Sequence, residues 1–204
     1  MELGEISQYY TGKLVAHGAS AQGVDWNSAE SQRLRFDQMV RVIGTEADFQ
    51  LNDIGCGYGA FFDYLRALGR KCDYLGVDIS EAMIAKAKAL HAGQPGCRFL
   101  AGQRADRQAD YTVASGIFSV RLSASDREWQ AHLLKTLDEM DAGSRRGFAF
   151  NCLTSYSDAG RMQEYLYYAD PRVLFDHCKT RYSKNVALLH DYGLYEFTIL
   201  VRKA

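Results

Sequence analysis

In residues 29–43 the apolar side chains Phe36, Met39, Val40 and Ile43 recur at i, i+3, i+4 and i+7, which puts them on one face of a helix. Ser28 stands where a helix N-cap belongs, with a hydroxyl that accepts from a free backbone N–H. A short apolar run at 49–54 predicts a strand, and Phe61, Leu65 and Leu68 mark a helix that Gly69 ends. Residues 74–79 read as a second strand carrying the acid Asp78. Ser80 caps the alanine-rich helix that follows, which runs to about His91 and is closed by Gly93 and Pro95. Strands recur at 98–101, 111–115 and 147–152. Between the last two, Ser125-Asp126-Arg127-Glu128 is a capping box, and Trp129, Leu133, Leu137 and Met140 form the apolar stripe behind it. Pro171 suits the first turn of a helix to about Lys179, and 186–190 and 195–201 are strands joined by the turn Asp191-Tyr192-Gly193. Strands alternating with helices and finishing in a hairpin predict an α/β fold, its sheet mostly parallel with one antiparallel strand at the end.

Composition narrows the function classes. At about 150 residues per domain, 204 residues make one domain with an appendage. A formal net charge of -1 gives no global positive field for a phosphate backbone or an anionic membrane, so neither nucleic acid nor a membrane is expected as a partner. No apolar run reaches the length of a membrane span and no signal sequence opens the chain. The five cysteines are an odd number without a C-x-x-C pair, which reads as reduced thiols in a cytoplasmic protein.

The segment Asp53-Ile54-Gly55-Cys56-Gly57-Tyr58-Gly59 lies between a predicted strand and a predicted helix. Glycines there let the backbone turn tightly and approach a ligand at the carboxyl edge of the sheet. Asp78, at the end of the next strand, is placed to accept from both hydroxyls of a ribose. Spacing alone admits a dinucleotide, because Gly55-x-Gly57-x-x-Ala60 also satisfies that fingerprint. Charge separates the two: Asp53 would repel a pyrophosphate but attract the sulfonium and ammonium of S-adenosylmethionine.

On these residues the chain resembles the class I, Rossmann-like S-adenosylmethionine-dependent methyltransferases. Asp53 to Gly59 matches their D-x-G-x-G-x-G loop, and Leu75-Gly76-Val77-Asp78-Ile79-Ser80 resembles their second-strand signature. The resemblance implies a three-layer sandwich around a seven-stranded sheet of order 3-2-1-4-5-7-6, with the last strand antiparallel. It also implies that Ile79 and Met83 flank an adenine and that Ser115 and Gly116 line the methionine end. Gln103 stands where the family commonly has an Asp that bonds the adenine amino group. Asn52 replaces the usual apolar residue before the loop acid.

The rest of the chain is read against what methyl transfer needs. Residues 1–45 form a helical extension expected to fold as a lid over the domain at 46–204, and within it His17 is the candidate general base. Arg35 is the candidate partner of the methionine carboxylate. His91, His132 and His177 fall on helices away from the loop ends and His190 near the terminal hairpin, all read as packing or surface residues. Tyr156, Tyr165, Tyr167 and Tyr168, with Phe118 and Arg121, are the candidate pocket for a small-molecule methyl acceptor. No N/D-P-P-Y run follows the fourth strand, which disfavours nucleobase methylation. Ser115 and Asn151 stand where a metal-dependent catechol type carries carboxylates, so no metal is expected. Two readings compete: an NAD(P)-dependent oxidoreductase, whose short-chain form needs a Y-x-x-x-K pair that here occurs only as Tyr9 and Lys13 ahead of the glycine loop, and a non-catalytic methyltransferase-like binding subunit.

Overall fold

The computed structural model describes residues 3–203. Helix α1 (Gly4–His17) and a short 3-10 turn (Gln22–Val24) precede α2 (Ala29–Met39). Alternation then begins: β1 (Asp48–Ile54), α3 (Ala60–Ala67), β2 (Lys71–Asp78), α4 (Glu81–Leu90), β3 (Cys97–Ala101) and β4 (Ala109–Ala114). After α5 (Asp126–Ala142) come β5 (Ser144–Thr154), a two-residue β6 (Tyr168–Ala169), α6 (Pro171–Arg181), β7 (Asn185–Leu189) and β8 (Glu196–Arg202).

The sheet order is β3-β2-β1-β4-β5-β8-β7, with β6 pairing parallel to the end of β5 at Leu153 and Thr154. Setting β6 aside, this is the expected order. β8 is antiparallel to both its neighbours, and the pairs from β3 to β5 are parallel. The extra strand escaped the sequence because two residues carry no period.

A sheet with helices on both faces must be apolar on both, and the two core layers reflect this. On one side Met39, Leu51, Leu65 and Tyr74 pack among α2, α3 and α4. On the other, Leu133, Leu137, Phe148, Phe197 and Leu174 pack with α5 and α6. Local chemistry sets the helix starts: Ser28 and Ser31 close a capping box on α2, Ser125 and Glu128 close the expected one on α5, and Ser80 accepts from Met83 N on α4. α2 stops at Met39, and Val40–Val42 continue as a 3-10 turn, so the apolar face runs through a change of helix type. Asn52 gains a physical account. It is fully buried, donates to the carbonyls of Arg107 and Gly143, and accepts from Arg107 Nε, tying β1 to the segments that enter β4 and leave α5.

Candidate active site

The carboxyl ends of β1, β2 and β4 open into a cleft of about 1180 Å³, counting its mouth. At its floor the glycine loop is pinned from below: the N–H groups of Gly55 and Cys56 donate to Val77 O at 2.7 and 3.0 Å. Gly55 has φ 76°, a left-handed conformation unfavourable to other residues, and a Cβ there would sit 2.0 Å from Ile117 Cγ2. The loop and the end of β4 therefore meet at a position where only glycine fits.

Asp78 is held in place by backbone alone. Its Oδ2 accepts from Gly57 N at 2.9 Å and its Oδ1 from Ser80 N at 2.8 Å. Burial raises its pKa, and those two donors work against the rise by favouring the ionised form. Each oxygen keeps a lone pair beyond the bond it makes. Asp53 lies at the end of β1, where Tyr74 donates to its Oδ2 at 2.5 Å. Burial pushes the Asp53 carboxyl up to about 7, Tyr74 lowers it, and the neighbouring Asp78 raises it further. Burial, with the same two acids, holds the Cys56 thiol well above its usual range, which favours the neutral thiol.

Ser115 and Gly116 form the edge of the cleft beyond β4. The Ser115 hydroxyl is buried and has no hydrogen-bond partner among the described residues. Gly116 has φ 83°, and its missing side chain makes room for the Trp26 ring, whose Cζ2 would lie 2.4 Å from a Cβ. Ile79, Met83 and Gln103 also line the cleft, as do Asp53, Gly55, Cys56, Gly57 and Asp78. Gly59 caps α3, packed in front of His91 and Phe99.

Three sequence expectations meet a different geometry. His17 ends α1 as an exposed residue outside the cleft lining, because α1 runs past the cleft before the chain turns back at Gly18. Arg35 is buried, and its fork is taken by the Glu196 carboxylate and Ser31 O, so it does not offer its charge to the cleft. The tyrosines of the proposed acceptor pocket lie outside the lining as well: Phe118 is fully buried in the core, Tyr156 is exposed, and Arg121 bonds to the carbonyls of Leu166 and Ala124. The Tyr9 and Lys13 pair is also committed elsewhere, both groups meeting Asp25 at 2.6 and 2.7 Å.

Sequence reasoning missed one wall. His132, Lys135, Thr136 and Glu139 of α5 line the cleft. Their spacing of i, i+3, i+4 and i+7 is a polar stripe beside the apolar one, a signal present in the sequence. Burial lowers the pKa of His132, which favours its neutral form. His91 likewise sits against the loop, buried behind Gly59 and contacting Ala87 O and Asp63. The roof comes from α1 and the turn after it: Ile6, Tyr10, Val24 and Trp26 line the cleft. Ser7 donates to Ile79 O at 3.2 Å and Thr11 shares a 2.8 Å hydrogen bond with Ser80, so α1 is fastened beside Asp78.

The comparisons with known proteins agree with this geometry. A family model described as a methyltransferase domain matches residues 52–142. The Mycobacterium tuberculosis (strain ATCC 25618 / H37Rv) protein named "Putative methyltransferase Rv1506c" is 60% identical over 165 residues, covering 81% of this chain and 99% of its own. Among solved structures, a Leishmania major S-adenosylmethionine-dependent methyltransferase superposes with a TM-score of 0.68 at 13% identity, covering 98% of this chain and 82% of its own. The Synechocystis PCC 6803 magnesium protoporphyrin IX methyltransferase with bound S-adenosylhomocysteine gives 0.62 at 13% identity, covering 86% and 84%. With the order of its sheet, its glycine loop and the 60% identical Mycobacterium tuberculosis relative in agreement, the chain belongs to the class I, Rossmann-like S-adenosylmethionine-dependent methyltransferases.

Proposed function

We propose that the protein methylates a small-molecule acceptor by direct in-line transfer, with residues 46–204 as the cofactor-binding domain and residues 1–45 as a lid. The carrying observation is Asp78, a buried carboxylate fixed by two backbone N–H groups beside a glycine loop that cannot accommodate a side chain at Gly55. Those features fit the cofactor. Asp78 would accept from the ribose hydroxyls, Ile79 and Met83 would flank the adenine with Gln103 at its edge, and Asp53 with Ser115 would meet the methionine end. Gly55, Cys56 and Gly57 would supply the close backbone approach, as Gly116 would at the far side, while Gly59 lies outside the lining and turns the loop into α3. When bound, S-adenosylmethionine supplies a methyl group on a sulfonium, which is already an activated leaving group.

What remains for the chain is positioning and exclusion of water, which supply several kcal/mol when the reacting atoms are held aligned. A small acceptor is favoured because residues of α1 and Trp26 roof the cleft beside Gly116. His17 has no part in this reading. A cytoplasmic setting is supported by five unpaired cysteines. No helix among the described residues is long and apolar enough to cross a membrane.

Calorimetry with S-adenosylhomocysteine and with NAD tests the cofactor assignment: heat and thermal stabilisation are expected with the first, and a response to NAD alone would overturn it. Turnover of S-adenosylmethionine with a metabolite extract then tests the transfer. Accumulation of a methylated small molecule is the expected result, whereas cofactor binding without any methylated product would favour the non-catalytic subunit.

A further inference from the structure

Five residues from distant parts of the chain close a ring of contacts at the methionine end of the cleft. Gly116 N donates to Asn151 Oδ1 at 2.8 Å, and Asn151 Nδ2 donates to Glu196 Oε2 at 2.6 Å. Arg35 Nε donates to the same oxygen at 2.8 Å and its Nη2 to Glu196 Oε1, while the guanidinium stacks 3.8 Å from the centre of the Trp26 ring. The Trp26 ring in turn rests on Gly116, the starting point.

The members differ in how firmly they are anchored. Asn151 and Glu196 are buried on adjacent strands, β5 and β8, and Arg35 is buried on α2. A charge pair so deeply placed is costly to separate, so Arg35 and Glu196 stay together. Trp26 alone sits on the connection between the 3-10 turn and α2, next to Asp25, whose φ of 64° sets the turn and whose carboxylate is held by Tyr9 and Lys13. Stacking of guanidinium on indole is strong enough to hold a ring and weak enough to release it.

We infer that Trp26 is the gate of the cofactor's methionine end and that Arg35 and Glu196 are positioning residues that latch it shut over Gly116. This rests on the proposed function, since the gate matters only if the cleft holds the cofactor. Release of the demethylated cofactor requires Trp26 to leave Gly116, and the latch sets how often it does.

Stopped-flow release of S-adenosylhomocysteine and acrylamide quenching of tryptophan emission test the gate. Trp129, the other tryptophan, is buried and bonded to Phe118 O but lines the same cleft, so its quenching is read in Trp26→Phe and subtracted to isolate Trp26. Trp26→Ala is expected to release the probe about tenfold faster, with Trp26→Phe restoring slow release. Arg35→Lys and Glu196→Gln are expected to speed release and expose Trp26 to acrylamide. A purely structural role would lower the melting temperature of these two variants without changing either readout. Release from Trp26→Ala within about twofold of the parent would overturn the gate. Unchanged quenching in whichever latch variant folds would overturn the latch. Failure of the parent to bind the probe at all would instead remove the proposed function, and the gate with it.

Discussion

The floor and the roof of the cleft are built on different principles. The floor is local: Asp53 to Gly59 and Asp78 to Ser80 are two short runs whose own backbone N–H groups fix the key carboxylate. The roof is assembled from pairs far apart in sequence, such as Ser7 with Ile79, Thr11 with Ser80 and Trp26 with Gly116. Strand and loop set the floor before any ligand arrives, whereas the roof depends on a few exchangeable contacts at the chain's beginning. The difference would suit the proposed reaction, in which one molecule is held rigidly and another admitted in turn.

The most damaging test of this division is Asp78→Ala. Removing a charged acceptor of hydroxyl donors costs about 3 kcal/mol, or roughly a hundredfold in S-adenosylhomocysteine affinity by calorimetry, with cooperative unfolding retained. Affinity that survives would move the ribose away from the floor. Gly55→Ala comes next, because its methyl would press on Ile117 in a left-handed backbone. A stability loss of about 2 kcal/mol by denaturant unfolding is expected, together with weaker cofactor binding.

A pH series sharpens the comparison further. Burial raises the Asp53 carboxyl from its ordinary 3.8 to about 7, so below that pH the neutral form is favoured and suits the buried floor. Because its folded pKa is raised, its contribution to stability is full below the ordinary value and is lost as pH rises through about 7. A cationic ammonium reverses the preference. Affinity for S-adenosylhomocysteine should therefore climb by up to about tenfold per unit as pH rises toward 7 and then level off, as a calorimetric series would record. Asp53→Asn should flatten that profile. The smallest effect is expected of His17→Ala, whose site is exposed and off the cleft. Cofactor affinity should change by less than about twofold in the same assay, and a larger loss would extend the functional roof to the end of α1.

How much could be read from the sequence follows the same line. The glycine loop, Asp78, the Ser80 and Ser125 caps and the hairpin at the end of the sheet all announce themselves through spacing within a few residues. The strand order came through resemblance and agrees with the observed sheet apart from β6. Arg35 suits a carboxylate by its type, and nothing in the sequence pairs it with Glu196, 161 residues further along. Asn52 was opaque for the same reason, its partners being carbonyls on distant segments. The α5 wall is different: its polar stripe was legible, but a stripe does not say which side of the sheet its helix lies against.

Because β8 runs against its neighbours, its beginning, not its end, arrives at the ligand edge. Glu196 reaches the rim for that reason, and the turn before it, with Tyr192 bonded to Thr198, is carried to the same edge. Reversing a single strand thus delivers the last stretch of the polypeptide to the place where its first stretch also lands. Substitutions in the turn before β8 or around Trp26 are therefore expected to alter the shape of the cleft beside Gly116.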